Sequence, residues 1–257
     1  MQVQFYKALW GMPETVPAAI QKIHDAGFDG IEAPLGQIRA VRDAGFTGPV
    51  IPMLFGDNPA TLAEEIEACK AVRPTKITIH AGTERMDVEA GKAFFAKLLP
   101  SVKDSGLEVN FETHRGRLLY EPIGTAKLLQ EFPDLFVCAD LSHWTVVCGN
   151  MLDGYGTELP LVYARTRHIH ARVGHTEGPQ VPDPRAAYWS GAVDKFFTFW
   201  EGMKAAAEKR GDTVLTIDPE FGPPNYLWTN PKDGQPLADL WDVCVWTRDE
   251  IKRRWVL

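Results

Sequence analysis

The chain has 257 residues, 45% hydrophobic and 24% charged, the mix of a globular protein with enough apolar material for a large core. Its 34 acidic and 27 basic side chains leave a formal net charge of −7, which repels nucleic-acid phosphates and argues against DNA or RNA as a partner. The four cysteines form no C-x-x-C pair and no apolar run approaches the roughly 18 residues of a membrane span, so neither a disulfide framework, a structural zinc site nor membrane insertion is expected.

The opening MQVQFYKALWG has no charged segment followed by an apolar one, so it is not read as a signal peptide, and a cytoplasmic location is expected. It contains the first strand candidate, 3–10. A helical segment over 14–26 follows, with Val16, Ile20 and Ile23 on one face, and then a strand over 29–35. The fragments DAGFDG (25–30) and DAGFTG (43–48) repeat one local design, a helix end and a glycine leading into a strand. The second leads into strand 48–54. Asn58 as N-cap and Pro59 at the first helical position predict a helix over 59–73. Strands at 75–81, 107–113, 135–141 and 167–173 come next. Val193, Phe196, Phe197, Trp200 and Met203 recur at helical spacing, then a strand at 213–220 precedes a last helix over 236–254. Eight strand–helix units without a linker predict an α/β protein, a (β/α)8 TIM barrel forming one domain over 1–257. An open doubly wound sheet would need a glycine-rich phosphate loop after its first strand, and LWGMPET is not one.

Chemistry in such a barrel sits at the C-terminal ends of the strands. Those ends carry Trp10, Glu32, His80, Glu112, His114, Asp140, His143, His168, His170, Arg172 and Glu220. Alternation puts Glu112 and His114 on one face of their strand, and likewise His168, His170 and Arg172 on theirs. Asp218 and Glu220 also share a face. Asp218, just before a proline, is read as a supporting or turn residue. Carboxylates converging in a barrel mouth are costly unless paired, and a divalent cation removes that cost. Glu112, Asp140, His170 and Glu220 form a mixed oxygen and nitrogen donor set that suits manganese, magnesium, cobalt or zinc.

The fragments GFDGIEAPL, NFETH, ADLSHW, HIHARVG and DPEFGP together resemble the xylose isomerase-like barrels, the superfamily of sugar phosphate isomerases and epimerases. The resemblance implies that Glu112, Asp140, His170 and Glu220 hold one divalent metal ion, and that His143 contacts substrate. His168 is the alternative ligand on the seventh strand. Two features depart from the pattern. Segment 174–189 is long and proline-rich, and is expected to lie as a lid over the mouth and bring His175, Glu177, Arg185, Tyr188 or Trp189 to the substrate. The superfamily's apurinic endonucleases carry a histidine after strand three and a D-x-H after strand seven, and neither is present here.

The expected activity is therefore that of a metal-dependent sugar isomerase or epimerase working by proton abstraction α to a carbonyl, through an enediolate held by the ion. Glu112 and Glu220 are the expected catalytic pair. Arg172, His143, His114, His168, Glu32 and His80 are expected to contact substrate, with Trp10 and Trp144 walling the pocket. Lyase or dehydratase chemistry on a keto-sugar, inosose or 3-keto-glycoside is the alternative, and a non-catalytic sugar-binding barrel the second alternative. The expected partner is a small sugar or sugar derivative, and assembly as a homo-oligomer is compatible with the sequence.

Overall fold

A computed structural model describes residues 1–257. It shows eight parallel strands, β1 (Gln2–Ala8), β2 (Gly30–Pro34), β3 (Val50–Gly56), β4 (Ile77–Ala81), β5 (Val109–Glu112), β6 (Val137–Ala139), β7 (Thr166–His170) and β8 (Val214–Asp218). They pair in sequence order and β8 closes on β1, so the sheet is a barrel without an edge. Helices α1 (Val16–Asp25), α2 (Leu35–Asp43), α3 (Pro59–Cys69), α4 (Val88–Ser105) and α5 (Pro122–Glu131) follow the first five strands in turn. Two helices, α6 (Ser142–Cys148) and α7 (Glu158–Arg165), join β6 to β7. α8 (Ser190–Arg210) precedes β8, and α9 (Leu240–Trp255) follows it. This is the single-domain TIM barrel that the alternating strand and helix patterns predict. No helix is long and apolar enough to cross a membrane.

Local chemistry explains the element ends. The Asn58 side chain accepts hydrogen bonds from the backbone N–H of Ala60 and Thr61 at 2.9 and 3.3 Å, capping α3 as its sequence predicts. The α8 stripe of Val193, Phe196, Phe197, Trp200 and Met203 is buried against the barrel. Outward strand residues such as Phe5, Ile31, Ile79, Phe111, Ile169 and Ile217 pack under the helices and make one continuous core.

The inner face differs from the branched apolar filling usual in such barrels. Thr78 lies in register with Asn110, and Cys138, His168 and Thr216 lie in register with one another; these five and Glu32 are all shut off from solvent. Glu32, Thr78, His168 and Thr216 bond one another, whereas the Asn110 amide has no partner. Thr78 Oγ1 donates to Glu32 Oε1 at 2.6 Å, His168 Nε2 meets Glu32 Oε2 at 2.9 Å, and His168 Nδ1 meets Thr216 Oγ1 at 2.8 Å. The barrel thus carries a hydrogen-bonded polar layer directly below its mouth.

Six of the eight strands stop earlier than their apolar runs suggest, while β3 runs on to Gly56 and β4 ends at Ala81 as expected. β7 ends at His170, where the Arg172 N–H turns back to the His170 carbonyl at 3.0 Å. His114, Asp140, Arg172 and Glu220 therefore stand on the loops just past the strands, a position that frees their side chains to converge over the barrel axis.

Candidate active site

β5 delivers Glu112 at its last residue, β7 delivers His170 at its last residue, and the loops after β6 and β8 deliver Asp140 and Glu220. One ligand-type atom from each of these four buried side chains lies within 4.8 Å of all the others. His170 is the hub. Its Nδ1 faces Glu112 Oε1 at 3.3 Å and Glu220 Oε2 at 3.1 Å, while its Nε2 faces Glu32 Oε2 at 3.2 Å on the layer below.

Burial works against charge on all of these groups, and their neighbours decide the outcome. Burial opposes ionisation of Glu112, but the imidazoles of His80 and His170 outweigh it and hold the carboxyl well below its ordinary value. Burial is likewise outweighed at Glu220, which Arg172 and His170 pull down. For Asp140 burial wins, raising it to about 6 against the pull of Arg172. His170 is pushed well above the ordinary imidazole value, since Cys138, Glu32 and Glu220 overcome its burial. Burial and the adjacent Arg172 keep His143 neutral, its pKa well below the ordinary value.

The donor set fits a divalent cation. Three carboxylates and one imidazole are hard and borderline ligands, and two of their oxygens, Glu112 Oε2 and Glu220 Oε2, are buried without a well-aligned hydrogen bond. His80 Nε2 lies 2.5 Å from Glu112 Oε2 but off the hydrogen-bonding direction, so the contact leaves both atoms unsatisfied.

Around this cluster lies a cavity of about 280 Å³ at the C-terminal end of the barrel. Of the residues expected at a substrate, Trp10, His80, His114 and Arg172 line it, together with Glu112, His170 and Glu220. Arg172 is clamped: Nη2 ion-pairs with Asp140 and donates to His143 Nε2 at 2.8 Å, while Nε donates to Ser142 Oγ at 3.1 Å. Trp10 stands edge-on to Tyr226, with ring centroids 5.1 Å apart.

Four residues expected to touch substrate do not reach the cavity. Glu32 and His168 belong to the enclosed layer beneath it, where each already has protein partners. His143 sits behind His114, ring centroids 3.9 Å apart, with its Nε2 occupied by Arg172. Trp144 is fully buried in the core, its indole N–H donating to the Leu119 carbonyl at 3.0 Å. A tryptophan in the first turn of α6 points into the helix–barrel interface, and sequence adjacency to His143 does not bring it to the axis.

Segment 174–189 also differs from expectation, for none of its residues lines the cavity. It buttresses the loop after β8 instead. Gln180 clamps Gly222, donating to its carbonyl at 3.0 Å and accepting from its N–H at 2.6 Å. A Cβ on Gly222 would come within 2.4 Å of the Trp10 ring, so the close approach needs glycine there. The loop so held carries Glu220 and Tyr226. Sequence reasoning missed Tyr226 and Arg117 in the cavity wall, because they lie on irregular segments with no periodicity, and Phe55, which stands near the end of β3 beyond the expected strand. Asp218 was readable from its shared face with Glu220. It too lines the cavity, both oxygens unpaired, and burial and Glu32 raise its pKa to about 8.

No protein-family model matches the chain, and no curated protein matches it. Its fold is found among solved structures. D-allulose 3-epimerase from a Methylomonas species, in complex with D-allulose, superposes with a TM-score of 0.60 at 12% identity, covering 98% of this chain and 97% of that one. The 3-keto-D-glucoside 4-epimerase of E. coli gives 0.62 at 12% identity, with 98% and 100% covered. The probable 3-DHS dehydratase of Bacillus anthracis gives 0.59 at 12%, with 97% and 98% covered. Two are epimerases, the third a dehydratase. At such identities the likeness is one of fold.

Proposed function

We propose that the chain is a divalent-metal-dependent isomerase or epimerase of a keto-sugar or a close derivative, acting by proton transfer at the carbon α to a carbonyl. The observation that carries this reading is the buried convergence of Glu112, Asp140, His170 and Glu220, three of which line the cavity. An ion held by these four would polarise the substrate carbonyl as a Lewis acid. The two glutamates come from β5 and from the loop after β8, so their carboxylates approach the cavity from separate strands. Held ionised by their imidazole and guanidinium neighbours, both are ready to accept a proton. One would take the α-proton, and the other, protonated first from water, would return that proton from its own side, which inverts the centre or, at the former carbonyl carbon, moves the carbonyl. Arg172, fixed by Asp140, Ser142 and His143, presents its unpaired Nη1 as a donor for a substrate oxygen. The aromatic edges of Trp10 and Tyr226 offer an apolar wall for a sugar face.

The experiment is incubation of the chain, loaded with Mn²⁺ or Co²⁺, with ketohexoses, inososes and 3-keto-glycosides in D₂O. Deuterium at the α-carbon together with an epimer or isomer is the expected result. Exchange followed by loss of water makes the chain a lyase on the same first step. Absence of exchange from every substrate, with the ion bound, overturns the catalytic reading and leaves a sugar-binding barrel.

A further inference from the structure

The cavity is polarised along its axis. Its floor carries the carboxylates of Glu112, Asp218 and Glu220, whereas its rim carries arginine. Arg117 lines the cavity, and Arg115 stands beside it with its guanidinium carbon 5.0 Å from the Tyr226 ring centroid. Both belong to one tight turn after β5. The Arg117 N–H bonds the His114 carbonyl at 3.1 Å, and Gly116 takes φ +77 at the third position, which is a type II turn. That turn sets one arginine on each side of the glycine. Arg117 leans toward Phe55, 5.9 Å from its ring, and Arg115 toward Tyr226, both rings being part of the cavity wall.

Neither guanidinium has a carboxylate within 4.0 Å. Glu84, across from Gly116, faces Arg85 at 3.9 Å instead. Arg172, by contrast, is buried with Nε and Nη2 engaged by Ser142, Asp140 and His143, so only its Nη1 is left, and that faces the reacting end of the cavity. Two cations free of partners, pre-placed against aromatic faces at the entrance to an acidic floor, are arranged to receive an anion.

Resting on the function proposed above, we infer that Arg117 and Arg115 form an anion subsite, and that the substrate carries a phosphate or carboxylate at the end remote from its reacting carbon. The rim then sets specificity while the floor does the chemistry.

Two measurements test this. In the first, the Mg²⁺-loaded chain is titrated with inorganic phosphate, and separately with acetate, while the arginine Nε–Hε signals are followed by NMR. Saturable movement of Arg117 and Arg115, with Arg172 unmoved, is expected. Movement of Arg172 alone, or no saturable movement, overturns the subsite. The second compares by calorimetry a ketohexose, its 6-phosphate and its 6-carboxylate. One of the anionic sugars should bind on the order of tenfold tighter than the neutral one, and which of them does identifies the anion. Arg117→Gln should bring that ratio close to one, and Arg117→Lys should retain part of it. An anionic sugar bound no tighter than the neutral sugar, or a ratio untouched by Arg117→Gln, overturns the substrate assignment. Saturable phosphate binding at the rim with no sugar bound at all would instead refute the isomerase reading and leave the subsite standing.

Discussion

Glu32→Gln tests whether the polar layer under the cavity orients the hub imidazole. Glu32 is fully buried and accepts three hydrogen bonds, from Thr78 Oγ1 at 2.6 Å, His168 Nε2 at 2.9 Å and His170 Nε2 at 3.2 Å. The carboxylate fixes which nitrogen of His170 is left to face Glu112 and Glu220. Glutamine keeps the shape. In its better orientation the amide oxygen still accepts from both histidines, and its NH₂ faces Thr78, whose hydroxyl can turn to accept. What is lost is charge. A hydrogen bond to a charged group contributes about 1.5–3 kcal/mol and a neutral one about 0.5–1.5, so two such bonds weakened give roughly 2–3 kcal/mol of destabilisation. In a chain of this size that corresponds to a fall in Tm of about 4–12 °C. The carboxylate partner of a ligating histidine also raises its basicity, so affinity for Mn²⁺ or Co²⁺ should drop by about 10–100-fold. Thermal unfolding without added metal and calorimetric metal titration read the two effects separately. An unchanged Tm together with unchanged metal affinity would refute the idea that Glu32 holds His170 in place.

Glu112→Gln and Glu220→Gln should each abolish turnover, while one of the two still exchanges the substrate α-proton with D₂O, since only its partner's half-reaction is blocked. NMR of the recovered substrate decides, with metal content measured alongside, and full turnover in both would place the acid and base elsewhere. Trp144→Ala should cost about 3–5 kcal/mol of stability through the cavity it leaves, read by denaturant unfolding. Trp10→Ala, at a side chain 37% exposed, should raise KM with little change in unfolding. Glu250 is held down at about 2 by Arg253 first and then Arg254, against an ordinary value of 4.5. Its folded-state value is depressed, so its contribution is complete above the unfolded value and is lost as pH falls from about 4.5 through about 2. Acid titrations of stability should therefore converge for wild type and Glu250→Gln below pH 2 and separate above pH 4.5. A constant gap across that range would show that the pairing contributes nothing.

The barrel was legible because strand and helix signals are local. All eight apolar runs became strands, and Asn58 and Pro59 placed the start of α3 to the residue. The convergence of Glu112, Asp140, His170 and Glu220 was legible for a related reason. In a barrel whose strands run in sequence order, the strand end alone says which side chains share the mouth. Depth along the axis was not legible. Glu32 and His168 read as mouth residues, yet the stagger of the strands sets them one layer down, where Thr78 and Thr216 occupy them. Trp144 and His143 adjoin in sequence, but the turn of α6 sends one into the core and the other behind His114. Loops gave least away. Segment 174–189 has the composition of a lid, and only the Gln180 clamp on Gly222 reveals it as a buttress for the loop that carries Tyr226. Element type and strand-end chemistry are written in neighbouring residues. Which of the inward residues meets solvent depends on strand stagger and on loops packed from distant parts of the chain, and those are decided only when the barrel closes.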